Sequence, residues 1–201
     1  ERGRASGKKT PPPQYGRGPA FEGPDVPDNA YPDGMTCEKA IEELRRLKDR
    51  PFFLAAGFLK PHLPFNAPKK YWDLYGPGDL ELPARNAWPE NMPKLAGSDW
   101  GALRAYTGIP QSGPVDEVTM RMLIHGYYAC VSFLDAQVER LLGELDRLGL
   151  RENTVVVLWG DHGWKLGDYG AWCKHTNFEL DTHVPLILSV PGQKNAGGAT
   201  G

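Results

Sequence analysis

TVVVLWGDHGWKLGDYGAWCKHTN, residues 154–177, opens on an apolar run that ends at Gly160 and continues into a loop holding Asp161, His162 and Lys174. A short continuous apolar run bounded by glycine is the pattern of a strand covered on both faces. Two more such runs occur, PFFLAAGF (51–58) upstream and VPLILSV (184–190) after the loop. A loop that only turned the chain would need no acid, imidazole or ammonium, so the residues after the strand ask for a chemical explanation.

Between these runs lie helical patterns. Cys37, Ala40, Ile41, Leu44 and Leu47 recur at three and four residues, predicting an amphipathic helix that starts on Thr36 as N-cap and ends near Asp49. The strongest period in the chain is Met120, Ile124, Tyr127, Val131, Leu134, Val138, Leu141, Leu145 and Leu148, with charges off that stripe, which predicts a long helix stopped at Gly149. A short helix is expected around Lys69–Leu74 in the proline-punctuated stretch 60–115. Helix, strand, long helix, strand is the order of an α/β fold with a mostly parallel sheet flanked by helices.

The remaining sequence divides the chain. Residues 1–35 concentrate proline and glycine (TPPPQYGRGPAFEGPDVPDNAYPDG) and read as an extended connector. Residues 36–192 form the α/β domain, and 193–201 are a glycine-rich tail. A length of 201 residues with 40% hydrophobic content suffices for an ordinary core, and a formal charge of −2 gives no basic field for nucleic acid. No apolar stretch reaches the roughly 20 residues of a membrane span. Cys37, Cys130 and Cys173 have no CxxC spacing, so they imply neither a disulfide framework nor a zinc ribbon.

Parallel sheets gather ligands at the carboxyl ends of their strands. Lys60 and His62, in FLKPHLPF, follow the run 51–58, as Asp161 and His162 follow 154–159. The two sets therefore share one side of the sheet. A carboxylate and an imidazole bind a divalent cation, a lysine holds an anionic oxygen, and a further histidine contacts an anion or protonates a leaving oxygen. Together they describe a metal-assisted site for a phosphate or sulfate ester. Taken singly, each has a plainer reading: the DH pair as a turn, Lys174 as a solvated charge, KPH as a proline turn. His125, Cys130 and His183 read as structural.

FLKPHLPFNAPKKYWDLY, YYACVSFLDAQVERLLGELDRLGL and NTVVVLWGDHGWKLGDYGAWCKHTNFELDTHVPLILSVPG, in that order, resemble the type I sulfatases of the alkaline phosphatase superfamily, and most of all their iduronate-2-sulfatase-like subgroup. The resemblance runs from about Tyr31 to Gly192, and the KPH motif together with the DHG-x8-WxK spacing (Asp161–Gly163, then Trp172–Lys174) makes it specific. It implies an alkaline-phosphatase-like fold and a sulfuric ester hydrolase. By this resemblance Asp161 and His162 match two ligands of a calcium ion, Lys174 a lysine that bridges sulfate and nucleophile, and His62 a histidine at the sulfate and its leaving oxygen. Lys60, Trp164 and His175 flank these positions as candidate substrate contacts, whereas Lys165 matches no role. The implied substrate is a sulfated carbohydrate or other sulfate ester, and the implied compartment is an exported one.

The family's nucleophile is a formylglycine made from C/S-x-P-x-R, which follows none of the cysteines or serines here. Nor do paired aspartates follow an N-terminal strand. The chain is accordingly expected to be the later portion of a longer protein whose other part completes the site. Two other readings stay open: a phosphodiesterase or phosphonate hydrolase on the same scaffold, and a catalytically silent module that only binds an anion.

Overall fold

A computed structural model describes residues 17–76, 78–85, 87–193 and 197–199. Of the expected connector and tail, residues 1–16, 194–196 and 200–201 lie outside this range. The elements run β1 (Arg17–Pro19), β2 (Phe21–Glu22), α1 (Pro32–Leu47), β3 (Phe65–Asn66), α2 (Lys69–Trp72), α3 (Gly101–Arg104), β4 (Tyr106–Thr107), α4 (Glu117–Arg147), β5 (Val156–Trp159), β6 (Lys165–Leu166), β7 (Trp172–Cys173), α5 (Glu179–Thr182) and β8 (Leu186–Ser189).

α1 starts at Pro32 and not at Thr36. Proline has its φ preset for the first helical position and lacks only an N–H that would be unpaired there anyway, so it nucleates the turn ahead of the expected cap. The helix buries Cys37, Ala40 and Leu44 as its spacing requires, against α4.

α4 is capped by Asp116, whose carboxylate accepts the Thr119 amide at 2.9 Å, and the chain leaves it at Gly149, with φ of +69°. Its buried face differs from the expected stripe. Of that stripe only Ile124 and Leu145 are fully buried and Val131 is exposed, whereas Leu123, Gly126, Ala129, Cys130, Phe133 and Gln137 face the interior. The reason is close approach. A Cβ on Gly126 would sit 2.8 Å from the Phe65 Cβ and 2.9 Å from the Trp72 ring, so the small-residue face meets β3 and α2 while the larger aliphatics flank it. Phe65, Trp72, Leu123, Phe133 and Trp172 centre the core.

The fold is mixed α/β. β1 pairs with β4 and β2 with β3 in parallel, β5 pairs with β8 antiparallel, and β6 with β7 forms a hairpin. β5 and β8 fall where strands were expected, but they are not covered on both faces: Val157, Trp159, Ile187 and Leu188 are exposed. The run at 51–58 pairs with no strand among the described residues. Its exposure nevertheless alternates residue by residue, as in a pleated strand, and Phe53 is 92% exposed. Their composition is that of covered strands, and the described residues do not supply the cover.

Candidate functional site

The chain following residue 58 turns under the control of α1. The buried Asp33 carboxylate accepts the amides of Leu59 at 2.7 Å and Lys60 at 2.9 Å. The turn continues through cis Lys60–Pro61 and Leu63–Pro64 bonds. The Lys60 ammonium donates to the carbonyls of Pro64 at 2.6 Å and His62 at 3.4 Å, so its charge closes the turn from inside. The His62 Nδ1 lies 2.8 Å from the Leu63 carbonyl. A carbonyl only accepts, so Nδ1 carries the proton and Nε2 presents its lone pair outward.

That lone pair meets the second segment. Lys174 Nζ donates to His62 Nε2 at 2.6 Å, joining residues 112 positions apart. Lys174 stands between two non-glycine residues in the left-handed region, Cys173 (φ +64°) and His175 (φ +87°). Each is a costly conformation, and together they swing the lysine out of the β6–β7 hairpin while Trp172 and Cys173 stay in the core. Trp164 lies among the site's bases: its ring is 4.9 Å from Lys174 Nζ and its centroid is 5.1 Å from His62 and 6.0 Å from His162. Its indole N–H is buried and finds no acceptor among the described residues. His175 itself is exposed beside this cluster.

Burial pushes the His62 pKa below its ordinary value, and the charges of Lys174, His162 and Lys60 push the same way against the Leu63 carbonyl. Burial likewise lowers Lys174, with the Asp161 carboxylate partly restoring it, and burial lowers Lys60. His62 is therefore neutral near pH 7, and the proton between it and Lys174 belongs to the lysine.

Asp161 and His162 occupy the other side of this cluster. Asp161 Oδ1 accepts the His162 amide at 3.0 Å, and His162 Nδ1 donates to the Gly163 carbonyl at 2.9 Å. Oδ2 of the acid and Nε2 of the imidazole are left facing each other at 3.7 Å. A carboxylate oxygen and an imidazole nitrogen at that separation fit one edge of a divalent cation's coordination sphere. They do not complete it, because no third His, Cys, Asp or Glu among the described residues joins them, and the Asp161 side chain is 86% exposed.

Sequence reasoning missed Asp33, Thr176 and Asp181, and it placed Lys165 in no role. Lys165 is in fact wholly buried, its ammonium paired with Asp181, whose carboxylate also accepts from Thr176. The T-x-x-E spacing of Thr176 and Glu179 is a capping signal that points toward the threonine, although the hydroxyl bonds to Asp181 instead. His125 Nε2 donates to the Trp72 carbonyl at 2.8 Å and Cys130 is buried in the core, so both serve the packing.

A profile of the Sulfatase family matches residues 6–200. The chain is 40% identical over 177 residues to iduronate 2-sulfatase of Homo sapiens, covering 84% of this chain and 32% of that protein. It is 30% identical over 175 residues to a sulfatase of Formosa agariphila, covering 82% and 32%. In structure it is similar to a phosphonate monoester hydrolase from Silicibacter pomeroyi, with a TM-score of 0.69 and 25% identity over 83% of this chain and 34% of the other. The chain thus spans about a third of the length of the curated relatives it matches.

Proposed function

Because this chain belongs to the sulfatase family, we propose that it carries the sulfate-holding and leaving-group side of a site that hydrolyses sulfate esters, with sulfated sugars as the substrate class. The observation that carries this reading is the contact of Lys174 with His62. It places a cation beside a neutral imidazole in a half-buried setting, against the ring of Trp164, whose indole N–H has no acceptor among the described residues. Donors of this kind, fixed in advance, stabilise charge on a transferring oxyanion without reorganising.

Lys174 and His62 then act as one unit. As the ester S–O bond breaks, its oxygen takes the electron pair, and the proton held on Lys174 against His62 Nε2 is the one available to it. Substrate contact falls to Trp164 and to the exposed His175, while Lys60 supports the turn that aims His62. Members of the family typically bind a divalent metal; we assign Asp161 and His162 to hold it, with calcium as the ion, although the imidazole is softer than calcium prefers. When bound, that ion would supply positive charge against the sulfate oxygens. The nucleophile is assigned to a formylglycine outside this sequence, and the same reading puts the protein in an exported compartment.

Likeness to a phosphonate monoester hydrolase favours a second reading, cleavage of phosphonate or phosphate diesters on the same scaffold. The test is turnover of 4-nitrophenyl sulfate against 4-nitrophenyl phenylphosphonate by the full native polypeptide. The sulfate should be preferred, and Lys174→Ala should lower its kcat by about 10²–10³, the scale of one lost electrostatic donor. Preference for the phosphonate would install the second reading. Sulfate binding without turnover of either ester would leave a module that only binds anions.

A further inference from the structure

Asp181 is the point at which both arms of the loop are tied. Its backbone carbonyl accepts the Gly163 amide at 2.8 Å, directly after His162. Its carboxylate accepts the Thr176 amide at 2.8 Å and the Thr176 hydroxyl at 2.6 Å, two residues after Lys174. Lys165 closes the knot, its ammonium on the Asp181 carboxylate and, at 3.1 Å, on the Thr176 hydroxyl oxygen. The approach to Gly163 is tight enough that a Cβ there would sit 2.0 Å from the Leu180 carbonyl.

A buried ion pair is a poor device for stability, since apolar side chains of similar volume often serve as well or better. What an apolar pair cannot do is accept three hydrogen bonds from one threonine and one lysine in a fixed geometry. Burial alone would raise the Asp181 pKa, but the bonds from Lys165 and Thr176 outweigh it and hold the carboxylate below its ordinary value. It is a fixed anion whose partner Thr176 is two residues from Lys174, while the backbone carbonyl of the same residue holds Gly163, one residue from His162.

We propose that Asp181, charge-balanced by Lys165, is a positioning residue that sets the separation between the Asp161–His162 arm and the Lys174 arm of the site. For turnover this rests on the sulfate-ester reading; for geometry it does not. Lys165, which carried no role in the sequence, is accordingly unsuited as a neutral control for Lys174.

The experiment compares Lys165→Met/Asp181→Leu, Thr176→Val and Lys165→Arg with the wild type in the full native polypeptide. His62 Nε2 is followed by nitrogen NMR after histidine labelling, and kcat and KM are followed with 4-nitrophenyl sulfate. The double variant should fold, because the pair is replaced by apolar groups, while the His62 Nε2 signal moves toward that of an imidazole with no lysine partner. Its kcat should fall about 10²-fold, the scale of a 1 Å misplacement, with KM changed far less. Thr176→Val keeps the ion pair and should shift the same signal in the same direction by less; Lys165→Arg should restore both readouts. A folded double variant, or a folded Thr176→Val if the double variant does not fold, with the His62 signal and kcat of the wild type overturns the proposal. A displaced His62 signal in a protein that turns over no sulfate ester would sustain the positioning role and defeat the sulfatase reading alone.

Discussion

Asp33, in the first turn of α1, holds Lys60 by its backbone: the carboxylate accepts the amides of Leu59 and Lys60 together, 27 residues away in sequence for the second. This fixes the start of the turn on which His62 stands. Asp33→Ala would leave two part-buried amides without their acceptor, each costing up to about 1–3 kcal/mol, so the variant should lose roughly 2–6 kcal/mol in urea unfolding, toward the lower end because Leu59 is exposed. Asp33→Asn keeps one acceptor and should lose less. Equal stability of Asp33→Ala and wild type would mean that the turn is held by its prolines and the Lys60 ammonium alone.

The part of the site visible in the sequence was the part that strand ends enforce. KPH and DHG each follow an apolar run, so their meeting needed no knowledge of the loop between. Asp33 and Asp181 were invisible because a buried polar tie is set by partners distant in sequence and leaves no period, and Thr176 showed only through a capping spacing that the fold does not use; Lys165 and Asp181, 16 residues apart, look like two surface charges. The extent of α4 was legible from its cap and Gly149, but its facing was not. Counting large aliphatics selects the flanks, whereas backbone approach at Gly126 and Ala129 decides which side is buried. Burial of the strands on both faces failed for a different reason, since apolar content reports what a strand needs and the described residues do not provide it.

The titration of His62 predicts a sign for stability against pH. Its pKa is lower in the folded state than the unfolded value of about 6.5. Between those two values the unfolded chain binds more protons, so the unfolding free energy must fall as pH drops through about 6.5 and level off below the folded value. His62→Gln should flatten that part of the profile relative to wild type. Urea unfolding at pH 8, 6.5 and 5 measures it, and a wild-type profile identical in shape to that of His62→Gln would show that burial and Lys174 do not depress the imidazole.

Asp161 and His162 supply two donors where calcium takes 6–8 oxygens. The 201-residue chain alone should therefore bind calcium weakly, and Asp161→Asn should weaken it further, because the carboxylate is the harder donor of the two. Titration calorimetry showing tight stoichiometric binding to this chain would require ligands beyond this pair.

The thiols offer a check on the packing around the hairpin. Cys173 is buried at the foot of the Lys174 turn and Cys130 lies on the inner face of α4, and burial pushes each up to about 12. Thiolate is the reactive form, so neither should react measurably with iodoacetamide at pH 7.5 until the chain is unfolded. Rapid native alkylation of Cys173 would mean that the hairpin opens, and the left-handed turn at Cys173 would be where it gives way.

His62→Ala and Lys174→Ala should differ in what they cost with a good leaving group. Lys174 carries the charge that meets the sulfate oxygens in every substrate and also the proton available to the departing oxygen, so Lys174→Ala should slow all sulfate esters, those with poor leaving groups most. His62 orients that ammonium through Nε2 and shares the proton on its way to the departing oxygen. A nitrophenolate leaves without needing this proton, while a sugar alkoxide does not, and general-acid assistance is worth about 10²–10⁴ in rate. His62→Ala should thus cost little more than the loss of orientation with 4-nitrophenyl sulfate and at least tenfold more with a sulfated sugar. The plot of log kcat/KM against leaving-group pKa should steepen in both variants, and in Lys174→Ala it should also lie lower at the good-leaving-group end. Parallel slopes for wild type and both variants would remove proton transfer from this pair, and would leave the contact between Lys174 and His62 a purely electrostatic clamp on the sulfate.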